Sequence, residues 1–321
     1  MRPRRIHPIA WLAALVVATA SLVALAPGAG ATAPGPNGRL LYWRFGHHCD
    51  GVCSIVTIDP DGTSAVHLTG LDGASWSPDG SKLSSATLTD DGRIATLIVD
   101  ADGSNPFVFP IQDPTLNTPC GVWTPDGSRL FCEVWDDVHP HRAPGIFSVD
   151  ATDGSDLMRV TSNTFGGHDI AFDTSPDGSS VVFFREDPNR RHRNFALMRV
   201  DADGSNLLQI GPYIAEQWCC SASWSPDGST ILTSYKGFIR VVAADGSAVT
   251  ALDVDVDEEH FVFGPDWSPD GTRIAFDMWT ASTQEFDIYT AAADGSDIQR
   301  VTDTPGFEKN VDWGSAPIVE G

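Results

Sequence analysis

From residue 38 onward, short apolar runs alternate with polar turns along this chain. Apolar and β-branched residues gather at 94–99, 107–109, 146–149, 157–161, 181–184, 195–200, 207–210, 231–232, 238–242, 273–276, 286–290 and 298–302. These runs lack the i, i+3, i+4 spacing of an amphipathic helix, so the chain reads as all-β. Two turn signals bound the runs and alternate. The first is Trp76-Ser77-Pro78-Asp79-Gly80, which returns as Trp123-Thr124-Pro125-Asp126-Gly127, Trp224-Ser225-Pro226-Asp227-Gly228 and Trp267-Ser268-Pro269-Asp270-Gly271. Thr174-Ser175-Pro176-Asp177-Gly178 lacks only the tryptophan, and Trp313 retains the tryptophan alone. Proline supplies the fixed φ that opens a type I turn, and glycine the positive φ that closes it. The second signal is Asp-Gly-Ser or Asp-Gly-Thr, with its glycine at 62, 103, 154, 204, 246 and 295.

The anchor positions 76, 123, 174, 224, 267 and 313 lie 47, 51, 50, 43 and 46 residues apart. Each repeat accommodates four strands of about 5–7 residues, which at this period fits a propeller blade. Residues 38–42 match a second strand whose own first strand is missing, and 311–313 form a first strand with no successor. The expected fold is therefore all-β: a six-bladed β-propeller of four-stranded blades, with the N- and C-terminal strands sharing one blade to close the ring. It spans 38–315, leaving 316–321 as a C-terminal tail.

The first 31 residues read as a signal peptide. Arg2, Arg4 and Arg5 precede an apolar stretch over 9–26, and Ala29-Gly30-Ala31 is a small-residue cleavage site. Cleavage after Ala31 is expected in preference to retention as an anchor, which leaves no stable membrane span and places the protein outside the cell or in the periplasm. The chain carries 20 Lys and Arg against 43 Asp and Glu, a net charge of −23. Losing the arginines of the signal makes it more acidic still. Such a surface excludes nucleic acid as a partner. Cysteine usage fits an oxidising compartment. Cys120 and Cys132 are placed symmetrically about Asp126 and should face each other across a hairpin as a disulfide. Cys49 and Cys53 can close a small loop, and Cys219-Cys220 is either a vicinal disulfide or two free thiols.

These repeats resemble the WD40-like PD40 repeats of the TolB-type β-propeller family. The resemblance rests on the Trp-Ser-Pro-Asp-Gly and Asp-Ala-Asp-Gly-Ser-Asn signals, with Val160-Thr161, Val301-Thr302 and Leu68-Thr69. TolB carries an α/β domain before its propeller, for which this chain has no room. The resemblance implies a non-catalytic periplasmic or extracellular scaffold that binds a protein, peptide or glycan of the cell envelope or exterior. The same repeat caps prolyl-oligopeptidase-type peptidases, but the Gly-x-Ser-x-Gly elbow they need is missing here. It also forms lyases acting on pectate fragments. That keeps open an alternative: a metal-assisted polysaccharide lyase or hydrolase with its site at the channel mouth.

The two turn signals belong to one face and are uniform, so they read as structural. The connections on the opposite face vary, as binding loops do. They include 46–52, 136–145, 166–168, 186–194, 211–219 and 257–261. Residues just before each first strand should form the channel rim: Asn117, His168, Trp218, His260 and Glu308. No cofactor is required, but His168, His260 and Glu259 are the candidates for a divalent cation. Trp135, Trp218 and Trp279 lie off the repeat and could stack on a sugar. Asp253, Asp255 and Asp257 are expected on an outer strand, guarding its edge by charge.

Overall fold

The computed structural model describes residues 34–45, 52–110, 113, 115–139, 142, 144–190, 194–214, 221–257 and 259–316. Cys49, Trp218, Cys219 and Cys220, the signal segment and the C-terminal residues 317–321 lie outside them, as does the side chain of Cys53. The chain is an all-β propeller with four-stranded blades. It opens with β1 (Asn37–Phe45), β2 (Val52–Ile58) and β3 (Val66–Leu68), followed by β4 (Asp72–Trp76), β5 (Lys82–Leu88), β6 (Ile94–Asp100) and β7 (Phe107–Val108). Next come β8 (Leu116–Asn117), β9 (Cys120–Trp123), β10 (Arg129–Asp136), β11 (Gly145–Asp150) and β12 (Met158–Arg159). Then follow β13 (Asp169–Thr174), β14 (Ser180–Asp187), β15 (Asn194–Asp201), β16 (Leu208–Ile214), β17 (Ala222–Trp224), β18 (Thr230–Tyr235), β19 (Phe238–Ala243) and β20 (Val249–Ala251). The last are β21 (His260–Trp267), β22 (Arg273–Thr280), β23 (Glu285–Ala292), β24 (Gln299–Arg300) and β25 (Phe307–Ser315).

Strands β4 to β7, β13 to β16 and β17 to β20 form four-stranded antiparallel sheets in chain order. Strands β8 to β12 form a five-stranded unit, in which β8 and β9 both pair with β10 because Thr118-Pro119 interrupts the inner strand. The remaining strands form one eight-stranded sheet, in which β25 pairs antiparallel with β1 and sets Leu40 opposite Trp313. Cys120 and Cys132 are register partners and form a disulfide with Cα atoms 3.8 Å apart.

The first turn signal closes itself. Ser77 Oγ donates to Asp79 Oδ1 at 2.7 Å, the Ser81 amide donates to the same oxygen at 3.0 Å, and the Lys82 amide donates to Ser77 Oγ at 2.9 Å. The same set recurs around Asp126, Asp177, Asp227 and Asp270. The Ser175 hydroxyl, then the Ser179 amide and hydroxyl, hold the Asp177 carboxyl down at about 2.

Both glycine series also touch the preceding blade. Gly127 has φ +68°, and a Cβ there would rest 3.6 Å from Pro78 Cγ, an ordinary contact. Gly204 has φ +86°, and a Cβ there would come within 2.8 Å of the Val160 carbonyl oxygen. An L side chain in the left-handed region costs about 1–2 kcal/mol from backbone strain alone. Gly127→Ala should lose about that much stability. Gly204→Ala should lose more, because a backbone oxygen of the neighbouring blade must also move. Thermal melts of the two variants check this order, and equal melting temperatures would refute it.

Between blades, the residue just before four of the six anchors carries a tie. Asp312 Oδ2 accepts from the Trp76 amide at 2.8 Å, Asp173 Oδ2 from Trp224 at 2.5 Å, and Asp266 Oδ2 from Trp313 at 2.6 Å. Ser223 Oγ accepts from the Trp267 amide at 3.1 Å. The anchor tryptophans pack between sheets: Trp123 sits with Ile98, Leu116, Leu130 and Phe147.

Three expectations need correction. Apart from β16, the outer strands are shorter than 5–7 residues: β7, β12 and β24 have two residues each, because they are exposed edges with few apolar contacts to hold them. Strand β20 ends at Ala251, so Asp253, Asp255 and Asp257 follow the strand and do not guard its edge. Strand β16 reaches Ile214, which places the start of the expected 211–219 loop inside the sheet.

Candidate binding face

The connections β10–β11 and β14–β15, together with the links from one blade to the next, lie opposite the two turn series. His168 stands there, at the entry to β13. Its Nδ1 pairs with Glu133 Oε1 at 2.5 Å, and its ring lies edge-on to Trp135 with centroids 5.8 Å apart. Glu133 is buried on β10. Burial pushes its carboxyl up, and the hydrogen bond with His168 works against that rise. The next residue, Asp169, is fully buried and receives both Arg185 Nε (2.8 Å) and Nη2 (2.6 Å), with the Thr161 hydroxyl adding a bond at 2.6 Å. The imidazole is therefore carried on a rigid, ion-paired strand start.

His260 is held differently. Its Nδ1 lies 2.5 Å from Asp257 Oδ1, three residues earlier, and the Glu259 amide donates to the same oxygen at 3.0 Å. Trp279 lies across from Phe261 at 5.5 Å. The structure thus brings His168 to Trp135 and Glu133, and leaves His260 in its own turn with Asp257. Among the described residues, no three His, Cys, Asp or Glu side chains are grouped to hold a metal ion.

Asn117 and Glu308, expected at the channel rim, are both buried. Asn117 lies within β8, where its Oδ1 accepts from the Ile94 amide (2.9 Å) and its Nδ2 donates to Asp137 (2.9 Å). The interruption of the inner strand at Pro119 draws it into the sheet. Glu308 lies on β25, accepts from the Thr304 hydroxyl, and has Arg44 Nε 3.9 Å away. Among the described residues, Glu308 Oε2, Asp277 Oδ2 and Asp287 Oδ1 have no hydrogen-bond partner.

Burial raises the Glu308 carboxyl above its ordinary value of 4.5. A carboxyl raised in the folded state gives its full stability below that ordinary value and loses it as pH rises through the folded one. Glu308→Gln should therefore melt higher than the parent at neutral pH, with the advantage shrinking toward acid. Melting temperatures across the pH range measure this, and a lower neutral-pH melting temperature for the variant would refute it.

A cleft of 360 Å³ opens where the β7–β8 and β10–β11 connections meet, lined by Asp113, Trp135, Asp136, Arg142, Phe147 and Arg159 among others. Arg142 donates to Asp113 Oδ2 at 2.9 Å and to Asp136 Oδ2 at 3.0 Å. Burial works to raise the Asp136 carboxyl, but the His139 amide and ring, Thr115 and the Val138 amide outweigh it and hold the group well below the usual carboxylate range. The Arg159 guanidinium covers the Phe147 ring at 4.3 Å. Sequence reasoning marked the 136–145 connection without singling out Asp136 or Arg142 within it, and missed Glu133, Asp169, Arg185 and Arg159. The available signal was a charged residue inside an otherwise apolar strand, as at Glu133 between Cys132 and Val134.

No family model matches the chain. It is 26% identical over 214 residues to an uncharacterised protein of Agrobacterium fabrum, covering 62% of this chain and 67% of that protein. It is 31% identical over 127 residues to the Tol-Pal system protein TolB of Anaeromyxobacter dehalogenans, covering 39% of this chain and 28% of that protein. Among solved structures, TolB from Acinetobacter baumannii superposes with a TM-score of 0.66 at 18% identity, covering 87% of this chain and 67% of that one. An oligogalacturonate lyase in complex with manganese superposes with a TM-score of 0.52 at 19% identity, covering 85% and 75%.

Proposed function

We propose that this TolB-like β-propeller is an exported, non-catalytic scaffold that binds a protein, peptide or glycan of the cell envelope or exterior on its variable-loop face. The contrast between the two faces carries the reading. One face is a set of near-identical turns closed on their own aspartates. The other has connections of differing length, a 360 Å³ cleft, and charged side chains already locked in pairs. In this reading the ring has six blades. The eight-stranded sheet divides into two, since β23 and β25 meet through a single parallel pair, Phe286 with Phe307. The Asp312–Trp76 tie and the close approach of Gly62 to Val301 are what closure would need at that seam. Export by a signal peptide at 1–31 is supported by the Cys120–Cys132 disulfide, since such bonds persist in oxidising compartments.

The metal-assisted lyase alternative needs His168 and His260 to serve one ion. Each is instead engaged by its own carboxylate, Glu133 and Asp257, and Glu259 contributes its amide to the second of these. Pull-down from envelope extract, comparing the wild type with a variant of altered variable loops, should lose its partner in the variant. Metal analysis of purified protein should give the same content for wild type and for His168→Ala/His260→Ala. Stoichiometric metal lost in that double variant would overturn the scaffold reading.

A further inference from the structure

Among the described residues that line it, the cleft at the end of β10 carries two positive and two negative side chains and has aromatic rings in its walls. Arg142 and Asp113 face it from connections, and Asp136 and Trp135 from β10. Asp136 is held by the Val138 and His139 amides at 2.9 and 2.8 Å as well as by Arg142, so its position is set before any ligand arrives. On the far side, Arg159 is fixed by its contact with Phe147 and by a hydrogen bond to the Thr161 carbonyl at 3.2 Å. Two guanidinium groups and two carboxylates thus share one opening.

The charges of the described lining residues cancel, so neither an anion nor a cation finds an excess of opposite charge among them, and Arg142 is already engaged by Asp113 and Asp136. A neutral polyhydroxylated ring has the matching chemistry. Its hydroxyls can donate to the carboxylates and accept from the guanidinium groups at once, and its C–H face can lie on an indole. The cleft volume falls in the range of about 300–1,000 Å³ usual for small-ligand sites.

We propose that this cleft binds a neutral sugar residue of a glycan, with Trp135 as the stacking surface and Asp113, Arg142 and Arg159 as the hydroxyl partners. This rests on the scaffold reading above and names its ligand class. The test presents the purified full chain with neutral hexose and N-acetylhexosamine oligomers, with uronic acid oligomers, and with a peptide library. Wild type, Trp135→Leu, Trp135→Phe, Arg142→Gln and Arg159→Gln are compared, with Lys82→Gln, an exposed side chain on the opposite turn face, as a control.

Neutral oligomers should bind the wild type and Lys82→Gln, and affinity should fall about tenfold in Trp135→Leu, Arg142→Gln and Arg159→Gln, with Trp135→Phe recovering part of it. Arg159 lies on a two-residue outer strand, so Arg159→Gln remains informative where Arg142→Gln unsettles Asp136. Retention of uronic acid oligomers or peptides in place of neutral ones would overturn the neutral-sugar inference while leaving the scaffold reading intact. So would neutral-sugar binding that survives all the cleft variants. Cleavage of any oligomer by the wild type would overturn the scaffold reading itself.

Discussion

Asp169→Ala is expected to cost about 3–5 kcal/mol of folding stability, the usual penalty for removing one partner of a buried ion pair. Asp169 is fully buried, and Arg185, which grips both its oxygens, is only 8% exposed. Alanine would strand the guanidinium beside the Phe183 ring, 5.4 Å away, with the Thr161 hydroxyl also released. The attraction within the pair is not itself the source of so large a loss. Two charges have already been taken out of water, and the pairing roughly offsets that cost. The double variant Asp169→Leu/Arg185→Met should therefore recover most of the loss, because a packed apolar pair avoids the desolvation. Urea unfolding of the three proteins measures both effects. A single variant losing less than about 1 kcal/mol would place water at this pair. The effect reaches the binding face as well, since His168 immediately precedes Asp169 and owes its position to that strand start.

What could be read along the chain was whatever is local. The Ser-Pro-Asp-Gly turn is built from side chains two to five residues apart, so its residues announce it. The Cys120–Cys132 pairing follows from the symmetry of one hairpin about Asp126. By contrast, the ties from Asp312, Asp173 and Asp266 connect residues 236, 51 and 47 positions apart in neighbouring blades, and only their recurrence just before an anchor hints at them. The glycines of the second turn looked like turn residues alone. Their seat against the preceding blade, as at Gly204 and Val160, is a packing property that no local pattern encodes. The cleft is the extreme case: residues 113, 136, 142 and 159 come from two connections and two strands, and their charges cancel only in space. The burial of Asn117 and Glu308 was illegible for a similar reason. Position before a first strand says which end of the blade a residue occupies, not whether neighbours cover it.

Trp123→Ala should lose about 3–5 kcal/mol, as large buried aromatics do when cut back to a methyl group. The side chain is 3% exposed and fills the gap between the sheets of β4 to β7 and β9 to β12. Substitution by phenylalanine separates packing from hydrogen bonding. Trp123 Nε1 donates to Ser84 Oγ at 3.1 Å, so Trp123→Phe removes volume and a buried bond together. Trp76 is equally buried, but its Nε1 has no partner among the described residues. Trp76→Phe removes an N–H that was already uncompensated, which offsets part of the lost packing. Stability should therefore fall in the order Trp76→Phe, Trp123→Phe, Trp123→Ala, with the alanine variant the least stable. If Trp123→Ala melted like the wild type, the repeated tryptophans could not be the wedges between blades, and their recurrence would require a role at the surface instead.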